Sequence, residues 1–203
     1  MPTPLYNTVA VLSWPILRGL YRLQWTGLDR VPADGGFVLA ANHTSSFDPW
    51  PMGMPFWPKR QLFFMGKVEL FNPVLGPILR AGGAFPVRRG EGDMQAIETA
   101  VEITRKGGIV AMFPEGTRQT KGLRKKFEHR PRSGSARIAM TAGVPLVPAA
   151  IKGSDKLSRL EKLRIAFGEP IPYDDLAELP QRDAHQEATD RLMERIYQLH
   201  AAL

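Results

Sequence analysis

The sequence predicts a single α/β domain built on a mostly central mixed sheet flanked by helices. Short apolar runs typical of buried strands recur along the chain, and segments with helical periodicity lie between several of them. The 203 residues are the size of one domain and enough to bury a substantial core. Three of the apolar runs are followed at once by polar or charged residues, which is where α/β folds place functional groups.

The first 24 residues form an apolar and aromatic segment that we expect to lie against a membrane. Pro15, Arg18 and Arg22 interrupt it before it reaches the roughly 20 apolar residues that a membrane span needs. Helices lying in the bilayer interface suit it better, with Trp14 and Tyr21 at headgroup depth. A helix packed on the protein core is the alternative interpretation.

The remaining elements follow from apolar runs bounded by turn and cap residues. The predicted strands cover residues 37–41, 61–65, 84–87, 109–113, 144–151 and 163–167. Asn72-Pro73 and Asp93 are helix-start signals, whereas Gly82-Gly83 and Gly143 are stop signals. A C-terminal amphipathic helix carries the apolar stripe Ala188, Leu192, Ile196, Leu199 and Leu203.

A histidine and a carboxylate lie five positions apart just after the first predicted strand. His43 and Asp48 flank a stretch of turn-forming residues. A separation of five would place them on different faces of a continuous helix, so they meet only if the chain turns between them. If they meet, the carboxylate fixes the imidazole tautomer while the other ring nitrogen removes a proton from a substrate hydroxyl.

Asp48 also has a second interpretation, as a helix N-cap. Pro49 follows it directly, and an aspartate before a proline is typical of the start of a helix. Because a carboxylate has two oxygens, capping and the contact with His43 are compatible.

The positive charge of the chain is concentrated in one segment. The formal net charge is +7; residues 118–137 hold eight basic side chains and one acidic one, so the rest of the chain carries nineteen of each. An anionic partner met locally is therefore expected. The basic residues are Arg118, Lys121, Arg124, Lys125, Lys126, Arg130, Arg132 and Arg137.

Two function classes other than the one developed below fit parts of the sequence. The basic segment resembles a patch for nucleic acid or anionic membrane, but only Phe127 interleaves it and no nucleic-acid motif is present, so we expect no nucleic-acid partner. Ser45 and Ser46 adjoin His43, which leaves a serine hydrolase open, although there is no Gly-x-Ser-x-Gly motif. The absence of cysteine excludes disulfides, thiolate metal sites and cysteine nucleophiles.

Four separated blocks carry a family resemblance. They are Asn42-His43 through Asp48, Gly83-Ala84-Phe85-Pro86-Val87-Arg88, Phe113-Pro114-Glu115-Gly116-Thr117-Arg118 and Val144-Pro145-Leu146-Val147-Pro148. In order and spacing they resemble the four motifs of the glycerolipid acyltransferase family, whose best-known members are the 1-acyl-sn-glycerol-3-phosphate (lysophosphatidic acid) acyltransferases. The first and third blocks are the specific ones. Residues 132–137 also resemble the family's segment before the fourth motif.

The resemblance implies an enzyme of phospholipid biosynthesis. It would transfer a fatty acyl group from acyl-CoA or acyl-carrier protein to the free hydroxyl of 1-acyl-glycerol-3-phosphate, giving phosphatidic acid. His43 would be the general base and Asp48 its partner. Glycerol-3-phosphate, another lysophospholipid or an acylated amino acid are alternative acceptors. The implied organisation is a membrane-interface segment over 1–24 and an acyltransferase catalytic domain over 25–203.

Five further residues are implied as substrate-binding. Arg88, Glu115, Gly116 and Arg118 match motif positions assigned to the phosphorylated acceptor, and Lys67 is a further candidate for the same phosphate. Arginine suits this role because its guanidinium binds a phosphate through two parallel hydrogen bonds. Glu115 cannot attract a phosphate by charge, so we expect it to accept a hydrogen bond from the acceptor or to orient an arginine.

The resemblance also sets expectations for cofactor and location. The reaction needs no metal and no cofactor apart from the acyl donor as co-substrate. The expected location is the cytoplasmic face of the cell membrane, as a peripheral or monotopic protein in contact with anionic lipid. The sequence carries no signal for the oligomeric state.

Overall fold

A seven-stranded sheet forms the centre of the computed structural model, which describes residues 2–88, 93–116 and 131–203. The strands are β1 (Gln24–Thr26), β2 (Phe37–Ala41), β3 (Leu62–Lys67), β4 (Ala84–Val87), β5 (Ile109–Met112), β6 (Leu146–Lys152) and β7 (Arg164–Phe167). Their order across the sheet is β1-β7-β6-β2-β5-β3-β4. Every neighbouring pair is parallel except β6 and β7, which are antiparallel. The predicted mixed α/β sheet is confirmed.

Helices cover both faces of this sheet. The α-helices of the described residues are α1 (Pro4–Pro15), α2 (Pro49–Gly53), α3 (Leu75–Ala81), α4 (Met94–Arg105), α5 (Gly134–Ala142) and α6 (Gln181–Ala202). Side chains of a strand point alternately to opposite faces, and β2 shows this. Phe37 and Leu39 join a core that includes residues of α1 and α2, whereas Val38 and Ala40 join a core with α4, α5 and α6.

The helix boundaries confirm the cap signals of the sequence. The side chain of Asp93 accepts the backbone N–H of Ala96 at 3.1 Å and so caps α4. Gly143 ends α5 with φ of 67°, a left-handed conformation that favours glycine. Helix α3 begins two residues later than the Asn72-Pro73 signal suggested; Val74 is its N-cap, without a side-chain capping bond, and the side chain of Asn72 accepts the N–H of Leu75 at 2.8 Å.

The N-terminal segment packs against the domain along one side and is exposed along the other. α1 continues into a π-helical turn, Ile16–Leu20, and Ala10 and Leu17 are buried in the core. The exposed apolar residues are Leu5, Val9, Val11, Leu12, Ile16 and Leu20. Within residues 2–88, 93–116 and 131–203, no helix combines the length and the apolar character needed to cross a bilayer.

Two aromatic residues of this segment also pack against the domain. Trp14 and Tyr21, placed at headgroup depth from the sequence, are partly buried against the core. The ring of Trp14 lies 6.2 Å from that of Trp25 and 5.9 Å from that of Trp57. The guanidinium of Arg18 stacks over the rings of Trp14 and Trp25. Because Trp25 and Trp57 come from other parts of the chain, the N-terminal sequence alone gave no sign of this packing.

Candidate active site

Four neighbouring parallel strands end at the same edge of the sheet. At or just after the end of each strand lies a residue that the sequence suggested for the site. His43 follows β2, Glu115 follows β5, Lys67 is the last residue of β3, and Arg88 follows β4. Adjacent strands lie about 4.8 Å apart, so the edge from β2 to β4 spans roughly 14 Å.

The imidazole of His43 and the carboxylate of Asp48 are in direct contact. Nδ1 of His43 lies 2.8 Å from Oδ2 of Asp48, and the Asp48 side chain is fully buried. The same oxygen accepts the backbone N–H groups of Thr44 and Ser45, each at 2.9 Å. Because a carboxylate accepts at Nδ1, that nitrogen carries the proton and Nε2 presents its lone pair to a substrate. The contact predicted from the sequence is therefore present.

Asp48 does not cap helix α2 with its side chain. It precedes the helix in the N-cap position but makes no capping hydrogen bond. The donors that a capping carboxylate needs are missing: the N–H of Trp50 donates to the carbonyl of Phe47, and Pro51 has no N–H. The capping interpretation of Asp48 is wrong for this reason, and the carboxylate is committed to His43 and the turn before it.

Two contacts fix the backbone that carries His43. The side-chain amide of Asn42 pairs with the backbone of Ile151 in β6, donating to its carbonyl at 2.9 Å and accepting its N–H at 2.8 Å. Oε2 of Glu115 accepts the backbone N–H of His43 at 3.2 Å. The imidazole also stacks on the ring of Phe113, with 4.2 Å between ring centroids. The histidine is thus held from β6 on one side and from the end of β5 on the other.

Glu115 contacts the backbone of His43 in a way that the sequence did not reveal. It was expected to meet the acceptor or an arginine, and the structure shows its carboxylate on the backbone of His43. Burial raises the pKa of Glu115 above its ordinary value, and the hydrogen bond from His43 opposes this rise. The next residue, Gly116, has φ of 70°, and a Cβ there would meet Nε of Arg132 at 2.8 Å. Glycine is therefore required where Arg132 crosses the turn.

A cavity of about 580 Å³ opens beside His43, between the sheet and helices α4, α5 and α6. This volume is in the range of small-molecule sites. Of the residues singled out from the sequence, His43, Arg88 and Gly116 line it. Its walls also include four arginines, which are Arg88, Arg132, Arg137 and Arg182, and two aspartates, which are Asp93 and Asp183.

The two aspartates offset only part of the charge of the four arginines in the lining, and both oxygens of Asp93 accept backbone hydrogen bonds. One oxygen caps α4 at Ala96 and the other accepts the backbone N–H of Arg88 at 2.8 Å. These backbone bonds, led by the one from Arg88, lower the pKa of Asp93. The described walls of the cavity therefore favour an anionic ligand.

Three of the proposed substrate-binding residues are not placed in this cavity. Lys67 is exposed at the end of β3 and lies outside the described lining, and so does Glu115. Arg118 lies outside the described residues, together with most of the basic segment. Arg137 belongs to the basic segment for which the sequence predicted an anionic partner, whereas Arg182 carried no motif signal and is brought here by the packing of α6.

The chain is similar to known acyltransferases. A family model described as Acyltransferase matches residues 22–152. The 1-acyl-sn-glycerol-3-phosphate acyltransferase of Bacillus subtilis is 34% identical over 179 residues, which cover 86% of this chain and 86% of the relative. The enzyme of the same name from Streptococcus pneumoniae is 31% identical over 183 residues, covering 87% of this chain and 65% of the relative.

The fold comparison points the same way. The crystal structure of the 1-acyl-sn-glycerophosphate (LPA) acyltransferase PlsC from Thermotoga maritima superposes with a TM-score of 0.65 over 96% of this chain and 78% of the other, at 23% identity. At that identity the likeness concerns the fold alone, whereas the family match covers well over half of the chain. The chain therefore belongs to the acyltransferase family.

Proposed function

We propose that this acyltransferase transfers a fatty acyl group from an acyl thioester to the free hydroxyl of 1-acyl-glycerol-3-phosphate, giving phosphatidic acid. The observation that carries the proposal is the His43–Asp48 contact at the edge of an arginine-lined cavity. Relatives from Bacillus subtilis and Streptococcus pneumoniae that are named for this acceptor support the choice of substrate.

The chemical step follows from the position of the two His43 nitrogens. Nδ1–H donates to Asp48, and Nε2 takes the proton of the acceptor hydroxyl as its oxygen attacks the thioester carbonyl. The tetrahedral intermediate then collapses, the C–S bond breaks, and the departing thiolate receives the proton from the imidazolium. An ester and a free thiol result, and Asp48 stabilises the imidazolium in between. General-base catalysis of this kind contributes about 10² to 10⁴ in rate.

The arginines of the cavity supply the second requirement, a held phosphate. Arg88 lines the cavity roughly three strands away from His43, and a guanidinium can grip two phosphate oxygens at once. A phosphate held there leaves the glycerol backbone to reach toward the imidazole. Arg118 is proposed for the same phosphate on the family resemblance alone. Acyl-CoA and acyl-carrier protein are both proposed as donors, because both present the same thioester.

A panel of acceptors tests the proposal, with the His43→Ala protein as the matched control. Thiol release from acyl-CoA or acyl-carrier protein is measured with 1-acyl-glycerol-3-phosphate, glycerol-3-phosphate and lysophosphatidylcholine at equal concentration. We expect release that depends on 1-acyl-glycerol-3-phosphate and falls by at least about 10²-fold in the variant. Equal release with all acceptors, or full activity without His43, would contradict the proposal.

We also propose that the protein sits on the cytoplasmic face of the membrane, where its acceptor resides, in contact with anionic lipid. Helices α1 and α3 are neighbours, since the hydroxyl of Thr3 donates to the carbonyl of Ala81 at 2.8 Å. Both expose apolar side chains, and those around α3 are Val68, Leu70, Val74, Leu75 and Ile78. Together with the exposed residues of α1 they form what we call the apolar surface. Such a surface suits the interfacial region of a bilayer.

Point variants test membrane seating better than a deletion of the N-terminal segment would. Ala10 and Leu17 of that segment are buried, so removing them would open the core. Leu12→Glu and Val74→Glu place charges at positions that are 67% and 76% exposed. We expect both to reduce sedimentation with phosphatidylglycerol-containing vesicles. Leu179→Glu, an exposed leucine outside this surface, is the control. Sedimentation equal to wild type in both variants would contradict membrane seating through α1 and α3.

A further inference from the structure

The chain that leaves β6 lies beside the turn that carries His43 and Asp48, residues 42–48, which we call the catalytic turn. β2 and β6 are parallel neighbours, so the segments that follow them emerge at the same edge of the sheet. The catalytic turn follows β2, and a 3₁₀ turn, Ser154–Arg159, begins two residues after the end of β6. The first residue of that 3₁₀ turn is therefore placed to contact the catalytic turn.

Ser154 and Thr44 are joined by a hydrogen bond between their hydroxyl groups. Oγ of Ser154 lies 2.9 Å from Oγ1 of Thr44, and Ser154 is only 2% exposed. Thr44 directly follows His43, and its backbone N–H donates to Oδ2 of Asp48 at 2.9 Å. Ser154 is thus linked to the carboxylate of Asp48 through a single residue.

The bond from Ser154 holds the backbone on the far side of His43 from Asn42. Asn42 fixes the residue before the histidine, whereas Ser154 fixes the residue after it. Oδ2 of Asp48 accepts N–H groups from this following backbone, so its position depends on where that backbone lies. A shift of Thr44 would therefore move the carboxylate relative to the imidazole, and a misplacement of catalytic groups by about 1 Å can cost about 10² in rate.

Neither hydroxyl is placed to meet a substrate. Ser154 is almost inaccessible, and both Thr44 and Ser154 lie outside the described lining of the arginine-lined cavity. An effect of Ser154 on the reaction would therefore pass through Thr44 to the contact between Asp48 and His43. Such an effect changes the chemical step and leaves the binding of the acceptor as it was.

We propose that Ser154 is a positioning residue for acyl transfer. Its hydroxyl holds Thr44 at the place where the Thr44 N–H fixes the carboxylate of Asp48 against Nδ1 of His43. The inference rests on the proposed function, in which His43 is the base and Asp48 stabilises the imidazolium. Without the Ser154 hydroxyl, the substrates bind as before, but the carboxylate is less well aligned when the imidazolium forms.

Two variants and their combination test the link between the hydroxyl groups. Ser154→Ala and Thr44→Val each remove one hydroxyl, and steady-state acyl transfer gives kcat and the KM for the acceptor. We expect kcat to fall about tenfold in each variant, on the order of one lost hydrogen bond, with KM within about twofold of wild type. Both variants lose the same bond, so the double variant should be no slower than the slower single variant. Effects that multiply in the double variant would overturn the proposal.

Two further variants are the matched controls. Thr44→Ser keeps the hydroxyl and removes only a methyl group, so its kcat should stay within about threefold of wild type. Ser158→Ala makes the same change as Ser154→Ala at an exposed position of the same 3₁₀ turn, and its kcat should equal that of wild type. A kcat of Thr44→Ser as low as that of Thr44→Val would overturn the proposal, because the methyl group and not the hydroxyl would then matter.

Thermal unfolding of every variant separates positioning from folding, with kcat measured well below the lowest unfolding temperature. A folded Ser154→Ala protein with kcat within twofold of wild type would overturn the proposal. So would a raised KM at unchanged kcat, because Ser154 would then shape acceptor binding. If Ser154→Ala does not fold, the comparison of Thr44→Val with Thr44→Ser decides, since Thr44 is only half-buried.

The proposed function and this inference fail separately. Full activity of His43→Ala would contradict the proposed function. An unchanged kcat in Ser154→Ala alongside an inactive His43→Ala protein would contradict this inference alone. If the wild type prefers another acceptor, the ratios of kcat are measured with that acceptor and keep their meaning.

Discussion

Replacing Asp48 by asparagine changes the charge next to His43 while keeping its geometry. Two backbone N–H groups, those of Thr44 and Ser45, point at Oδ2 of Asp48. They force an asparagine to place its carbonyl oxygen there and its NH₂ at the position of Oδ1. The contact with Nδ1 of His43 is then kept, and the negative charge is lost.

The expected effect can be worked out from the 2.8 Å contact. Two unit charges at that distance attract by about 6 kcal/mol at an effective dielectric constant near 20 and by about 1.5 kcal/mol in water. The imidazolium formed in the reaction loses this stabilisation, so kcat should fall by between roughly 10-fold and 10⁴-fold. The new NH₂ is buried where Oδ1 has no partner among the described residues, which should lower the free energy of unfolding by about 1–3 kcal/mol.

Steady-state acyl transfer to 1-acyl-glycerol-3-phosphate measures the fall in kcat, and thermal unfolding measures the loss of stability. The KM for the acceptor should stay near the wild-type value, because Asp48 contacts His43 and the turn and not the cavity. Asp29→Asn makes the same chemical change at an exposed carboxylate and should leave both measurements unchanged. A folded Asp48→Asn protein with kcat within twofold of wild type would refute the role of the buried charge.

Three further variants, at two positions, test how His43 is held. Glu115→Gln keeps an acceptor for the backbone N–H of His43 and should retain activity, whereas Glu115→Ala should lower kcat about tenfold. Burial raises the pKa of Glu115, so the folded state binds this proton more tightly than the unfolded state, and wild-type stability falls as pH rises through that window. The stability of Glu115→Gln relative to wild type should therefore increase between acidic and neutral pH, as measured by thermal unfolding. A stability difference that is independent of pH would contradict this expectation. Asn42→Ala leaves both backbone groups of Ile151 unpaired and should lower the free energy of unfolding by about 2–4 kcal/mol in chemical denaturation, and a change below 0.5 kcal/mol would show that solvent replaces the pair.

Local patterns were enough to predict strands β2 to β7 and the contact between His43 and Asp48. Residues 37–41 are uniformly apolar because β2 lies in the middle of the sheet and is buried on both faces. β1 was missed because it has only three residues and polar ends, as an edge strand can. Pro51 removes one of the two N–H groups that the side chain of Asp48 could cap, and only the structure shows that the other, the N–H of Trp50, donates to the carbonyl of Phe47 instead.

The cavity was only partly predictable, because most of its walls come from distant segments. His43, Arg88 and Gly116 stood in recognisable motifs, and all three line it. Lys67 was predicted near a strand end but lies outside the described cavity lining. Whether a residue at a strand end faces the cavity depends on the path of the chain that follows, which is here the short 3₁₀ turn Val68–Leu70.

In the proposed mechanism His43 takes the proton directly from the acceptor, and no acyl group is ever attached to the protein. The intact mass of the wild-type protein, recorded after mixing with the acyl donor alone and again after adding 1-acyl-glycerol-3-phosphate, tests it most directly. We expect the unmodified mass in both samples and thiol release only in the second. An acyl adduct that forms with the donor alone, disappears on addition of the acceptor and is absent from Ser45→Ala or Ser46→Ala would contradict the claim.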